Sequence, residues 1–132
     1  MGEDTGVGLT MLILDDEKDL CEFSKRFFEK RGFVTHASLT VKDALNKINT
    51  TKFDVALLDQ HMKNGSGLEV LKALREIQPQ CQCIMLTVEE NKAIVDSAKK
   101  MGVADYLFKP VSLVDIEKAI KKAIKKVKGK AK

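Results

Sequence analysis

Residues 53–67 read FDVALLDQHMKNGSG: an apolar run ends on a carboxylate, Asp59, and breaks at once into polar residues and glycine. An ionised aspartate is costly to bury unless it is paired or bound to a cation. A buried strand that stops on one therefore marks a site and not packing alone.

Four further runs of the same kind surround it: TMLILD (10–15), FVTHA (33–37), CIMLTV (83–88) and ADYLF (104–108). They hardly alternate between apolar and polar, which is the pattern of strands covered on both faces. Helical patterns lie between them. Leu20, Phe23, Phe27 and Arg31 mark one side of the first, which Gly32 stops. Thr40 and Asp43 resemble a capping box ahead of Ala44, Leu45 and Ile48. Leu68, Leu71, Leu74 and Ile77 make a third stripe, closed by Pro79, and Ile94, Val95, Ala98 and Met101 a fourth, closed by Gly102. Leu113, Ile116, Ile120, Ile124 and Val127 make the fifth. Regular alternation of strand and helix predicts an α/β chain: parallel strands joined by right-handed crossovers, with helices on both faces of a doubly wound sheet.

A chain of 132 residues suits one domain. No run approaches the length of a membrane span, and the acidic, glycine-rich start, MGEDTGVG, is unlike a secretory or transit peptide. The expectation is a cytoplasmic protein. Its three cysteines are too few and odd in number for a disulfide framework. From Leu113 onward there are 8 Lys against 2 acids, a net of +6, whereas the first 112 residues carry a net of −2. We expect residues 1–8 to be disordered, 9–127 to form the domain, and 128–132 to be a basic tail.

In open sheets of this type ligands bind beyond the carboxyl ends of the strands. The first run ends on Asp15 and Asp16, the third on Asp59, the fourth on Thr87, and the fifth leads into Lys109. Carboxylates gathered with a hydroxyl and an ammonium suit a hard cation such as Mg²⁺, which takes oxygen ligands and keeps several waters. Such a rim can receive a phosphoryl group: a carboxylate serves as nucleophile, and cation and lysine neutralise the transferring charge.

With those residues in view, the sequence resembles the receiver domain of two-component response regulators over about residues 9–127. The matching features are the acidic pair Asp15-Asp16, LLDQHM with Asp59, Gly67 beyond it, MLTV with Thr87, and YLFKP with Tyr106, Lys109 and Pro110. The resemblance implies a CheY-like, flavodoxin-like (βα)5 fold with strand order 2-1-3-4-5 and a cis Lys109–Pro110 bond. It implies Asp59 as phosphoacceptor, kept ionised and accessible. Mg²⁺ would be bound by Asp16, Asp59 and the backbone carbonyl of His61, with Asp15 acting through water. Thr87 would bond a phosphoryl oxygen, Lys109 would pair with it, and Tyr106 would be the aromatic switch residue. His61 and Glu89, two places beyond Asp59 and Thr87, would tune phosphoryl lifetime.

The implied donor is a sensor histidine kinase or a histidine phosphotransfer protein. Output would pass to a downstream protein through the face of the fourth helix, fifth strand and fifth helix, and the implied role is a switch and not a turnover enzyme. The competing reading is a degenerate receiver acting as a constitutive interaction module. The chain ends soon after the fifth helix, without a DNA-binding domain or membrane span, and fits a stand-alone receiver or one excised from a longer protein. Two residues depart from the family's habit: Lys63 stands where proline is usual, and Val88 where a small residue is usual.

Other features read blandly. The side chain of His61 has no Cys or second His beside it, and Mg²⁺ prefers oxygen. His36 reads as a partly exposed strand residue. Cys81 and Cys83 share a strand side but lack partners for a zinc site, and read as reduced structural thiols. KAIKKAIKKVKGKAK keeps helical spacing, so most of its lysines form a solvated face.

Overall fold

The computed structural model describes residues 5–88 and 91–131, residues 126–131 as main chain. In chain order the elements are β1 Thr10–Leu14, α1 Lys18–Lys30, β2 Val34–Ser38, α2 Val41–Thr50, β3 Val55–Asp59, α3 Gly67–Ile77, β4 Gln82–Thr87, α4 Lys92–Lys100, β5 Asp105–Phe108 and α5 Leu113–Ala131. The five strands pair in parallel in the order β2-β1-β3-β4-β5, the doubly wound order expected. Among the described residues no helix is long and apolar enough to cross a membrane.

Alternation along the strands divides the interior in two. Leu12, Leu14, Ala56, Leu58, Cys83 and Met85 form one core with Ala44, Ile48, Val70, Leu71 and Leu74 of α2 and α3. Met11, Ile13, Val55, Leu57 and Ile84 form the other with Cys21 and Phe28 of α1 and Ile116 and Ile120 of α5. Each fully buried Leu, Ile, Met or Phe contributes about 1.5–3 kcal/mol relative to exposure. That is why runs with no polar alternation become the central strands.

The structure corrects the sequence reading in four places. On α1 the buried residues are Cys21 and Phe28, while Leu20 and Phe23 are 48% and 64% exposed. The apolar spacing of α1 therefore serves a surface as well as the core. Residues 5–8, expected to be disordered, are docked: Gly6 N–H donates to the Arg31 carbonyl (2.7 Å), and Leu9 N–H to the Gly6 carbonyl (2.8 Å). Gly6 lies so close to the Phe33 ring that a Cβ there would stand 2.2 Å from it. Helix α5 also continues past residue 127 to Ala131, through Gly129. A glycine costs a helix only about 1 kcal/mol relative to alanine. Of the capping box expected at α2, one half forms, Asp43 N–H donating to Thr40 Oγ1 at 3.0 Å, while the Asp43 carboxylate turns to Lys47 at 2.9 Å.

The docked segment 5–9 meets a buried ion pair. Glu117 of α5 is 6% exposed, and its Oε2 accepts from Arg31 Nε (3.0 Å) and Thr5 Oγ1 (3.2 Å). The Arg31 guanidinium also lies 4.0 Å from the centre of the Phe27 ring. Bonds to a charged acceptor contribute about 1.5–3 kcal/mol. Glu117→Ala is expected to lower stability by about that amount in urea unfolding, with a smaller loss for Glu117→Gln. A midpoint unchanged in Glu117→Ala would show that the pair contributes nothing.

Candidate functional site

Strand register brings the polar strand ends to one rim. Leu14 lies opposite Leu58, Asp59 opposite Leu86, and Thr87 opposite Phe108. Main-chain bonds carry the alignment one step further, from Asp15 N–H to the Ser38 carbonyl (3.1 Å) and from Lys109 N–H to the Thr87 carbonyl (2.8 Å). Asp15, Asp59 and Lys109 keep the alternation of Ile13, Leu57 and Leu107, so they fall on the α1/α5 side of the sheet edge. Thr87 and Tyr106 keep that of Met85 and fall on the α4 side.

Asp59 is more enclosed than its expected accessibility implied, at 7% exposure. Its Oδ2 accepts from Lys109 Nζ at 2.9 Å and its Oδ1 from the His61 main-chain N–H at 3.0 Å. Burial alone would lower the Lys109 pKa, but the hydrogen bond and charge of Asp59, with the charge of Asp15, raise it above 10.5. For Lys109 the contribution to stability is present below the ordinary lysine value and is lost as pH rises through the raised one. Lys109 is therefore a fixed cation at neutral pH. Asp15 is pushed above 3.8, first by burial and further by the charge of Asp59, against the lowering by the Glu17 N–H and Lys109. Ionising it works against the fold as pH rises through the carboxylate range, and leaves negative charge for a cation to answer.

The segment after Asp59 is tightly held. His61–Met62 and Gly65–Ser66 form a small antiparallel ladder. Gln60 is buried, its Oε1 accepting from Leu68 N–H (3.0 Å) at the start of α3, and its carbonyl accepts from Gly67 N–H (3.4 Å). A Cβ on Gly67 would stand 2.5 Å from the Asp59 carbonyl oxygen, so glycine is needed for α3 to approach the end of β3. At the ladder's tip, Lys63 N–H donates to Asp16 Oδ2 (3.0 Å). Ser66 N–H bonds Glu69 Oε1 at 3.0 Å, closing a capping box that the sequence reading did not pick out.

Thr87 is fully buried at the end of β4. Tyr106 is half-buried against the α2–α4 core, its ring centre 5.3 Å from that of Phe108. Glu89 lies outside the described residues. The Lys109–Pro110 bond is cis. Among the described residues no three Asp, Glu, His or Cys side chains gather closely enough to cage a metal unaided. Asp15, Asp16 and Asp59 thus line one rim without forming a closed cluster. His36 packs edge-on to Phe53. Cys81 and Cys83 are reduced and buried, and the Arg75 guanidinium bonds both the Cys81 carbonyl and the Cys83 thiol.

Besides that capping box, two features escaped the sequence reading. One is Gln60, whose role depends on where α3 begins. The other is a groove of about 650 Å³ lined by Leu20, Phe23, Val88 and Pro110, which reaches Asp15 and Lys109. Helical spacing alone did not distinguish the groove face of α1 from its core face.

The response regulator receiver domain family matches residues 11–121. The photosynthetic apparatus regulatory protein RegA of Rhodobacter capsulatus is 35% identical over 115 residues, which cover 87% of this chain and 62% of that protein. The acid tolerance regulatory protein ActR of Rhizobium meliloti is 33% identical over 115 residues, 87% of this chain and 59% of that one. The chain thus spans less than two thirds of these curated relatives. Among solved structures, a response regulator from Burkholderia pseudomallei with a phosphorylated aspartic acid, calcium ion and citrate superposes with a TM-score of 0.81 at 27% identity, covering 93% of this chain and 72% of that one. A CheY-like receiver domain protein from Methanospirillum hungatei shares the fold, with a TM-score of 0.88 at 24% identity over 92% of this chain and 98% of that one. This chain belongs to the response regulator receiver domain family, the phosphorylatable aspartate switch of two-component signalling.

Proposed function

We propose that Asp59 is the phosphoryl acceptor, that a sensor histidine kinase or a histidine phosphotransfer protein is the donor, and that output passes to a partner protein through α4, β5 and α5. The observation that carries this reading is the enclosed Asp59 carboxylate, paired with Lys109 at 2.9 Å. In the transfer an Asp59 oxygen forms the new P–O bond as the donor's P–N bond breaks and its imidazole leaves. Lys109 then holds a positive charge against the phosphoryl oxygens, and Thr87 turns its hydroxyl toward them. The phosphoryl group stays on the protein, so the molecule is a switch and not a turnover enzyme. In this reading His61, two places past Asp59 in sequence, and Glu89, which lies outside the described residues, tune the rate at which water removes it. A receiver fed by such a donor works in the cytoplasm.

The residues fit a divalent cation, in this reading Mg²⁺. Asp16, Asp59 and the main-chain carbonyl of His61 would hold it, with Asp15 acting through water. Its donors are hard oxygens, and the side chains form no closed cage, which suits an ion that retains water. When bound it neutralises charge on the transferring group.

Incubation with acetyl phosphate and Mg²⁺ is expected to add one base-labile phosphoryl group by intact mass spectrometry, lost in Asp59→Asn and in the presence of chelator. Labelling that survives either change contradicts the assignment.

Because Asp59 is enclosed, a protein donor must settle on the rim, and the groove of Leu20 and Phe23 adjoins it. Phe23→Ser is expected to slow transfer from a phosphorylated histidine phosphotransfer protein about tenfold, a typical cost of about 1.4 kcal/mol for losing an exposed aromatic anchor, and to leave acetyl phosphate labelling unchanged. Equal slowing of both, or of neither, rules the groove out as the docking site.

Thr87 and Tyr106 share the α4 side of the sheet, so a hydroxyl drawn to the phosphoryl group changes the space beside the ring. A two-state shift of this kind requires tighter binding of the phosphoryl group to the active state. Tyrosine fluorescence should respond to beryllium fluoride with Mg²⁺, and Thr87→Ala should bind the mimic yet lose most of the response. A full response in that variant would separate the two residues.

A further inference from the structure

The segment that follows Asp59 is a closed device. Its base is fastened to α3 through Gln60, whose side-chain and main-chain oxygens accept from Leu68 and Gly67. Pairing of Met62 with Gly65 leaves Lys63 and Asn64 as a two-residue tip. Short connections of this kind restrict the chain strongly. The tip is fastened to the acidic pair by the main-chain N–H of Lys63, 3.0 Å from Asp16 Oδ2. Lys63 is an exposed residue, and this contact belongs to its backbone. A proline, the residue usual there in the resembling family, has no N–H and could not make it.

We propose that the Lys63 main-chain N–H is a positioning group for the divalent-cation site. It holds the Asp16 carboxylate and the His61 segment at a fixed separation before the cation arrives. The inference rests on the reading of Asp16 and the His61 carbonyl as ligands. Asp16 sits just before α1, half-exposed, where its side chain would otherwise sample several rotamers. A bond from an N–H to an ionised carboxylate is roughly twice as strong as a neutral one, and it leaves Oδ1 available to the ion. Donors placed behind ligating carboxylates typically change metal affinity 10–100-fold when they are removed. Preorganisation here also spans two elements: the same bond that orients Asp16 anchors the turn carrying His61.

The backbone origin of the donor gives a clean pair of variants. Lys63→Ala keeps the N–H and removes only the charge. Lys63→Pro removes the N–H, and the extended ladder residue before it, Met62, suits a following proline. Mg²⁺ titration by calorimetry is expected to show Lys63→Ala binding no more weakly than wild type, and Lys63→Pro about tenfold more weakly. Lys63→Pro binding as tightly as Lys63→Ala, or more tightly, overturns the proposal. An Asp16→Asn variant with wild-type affinity would instead overturn the underlying metal reading. A measurement on the unmodified chain tests the same point without depending on the proline variant folding. Amide exchange at Lys63 should be slow without metal and remain slow at saturating Mg²⁺. Loss of protection on Mg²⁺ binding would mean that the N–H competes with the cation, and would also overturn the proposal.

Discussion

A carboxylate at 7% exposure is costly to bury without opposite charge beside it, and in this molecule that charge is Lys109, 50 residues away in sequence. The distance in the fold is just as restrictive. Strand β5 is not a neighbour of β3; β4 lies between them. With strands about 4.8 Å apart, the cation must cross the end of β4 to reach Asp59. A four-carbon stem spans that distance over the α1/α5 side of the sheet, while Thr87 closes β4 on the α4 side. The ion pair therefore ties two strand ends across a third: an acid on β3 and a long base after β5.

The rest of the rim follows from the same enclosure. Asp15 is close enough to Asp59 to feel its charge, and burial already raises its pKa. The site thus keeps an excess of negative charge that Lys109 alone does not cancel. Gly67 permits α3 to begin directly against the Asp59 carbonyl, where any side chain would collide. That close approach lets Gln60 cap α3 and turns the segment after Asp59 into a stiff hairpin. Packing of the scaffold and presentation of the site are here one set of contacts. The apolar residues of α1 show the reverse division, with Phe28 serving the core and Phe23 the rim.

Much of this was legible in the sequence because it depends on local chemistry. Unalternating runs had to be strands buried on both faces, and their spacing by helical stripes required parallel connections. Residues that end such runs must lie at one edge of a parallel sheet, so Asp15, Asp16, Asp59, Thr87 and Lys109 could be gathered before any coordinates. What composition suggested of the ends was misleading: MGEDTGVG reads as a loose segment, yet Thr5 and Gly6 are held by Glu117 and Arg31. Glycine and lysine content likewise pointed to a tail at 128–132, where the helix continues to Ala131.

The sequence by itself determined the architecture and the residue types of the rim, because strand periodicity and the cost of burying charge act on neighbouring residues. Only the tertiary structure decided which oxygen answers which donor. The Lys63 bond to Asp16 and the groove between α1 and Pro110 join segments distant in sequence, and the Gln60 cap depends on how closely α3 approaches β3. No periodicity encodes such contacts. They follow from where the crossovers set the helices against the sheet, and from how little space remains at the carboxyl end of β3.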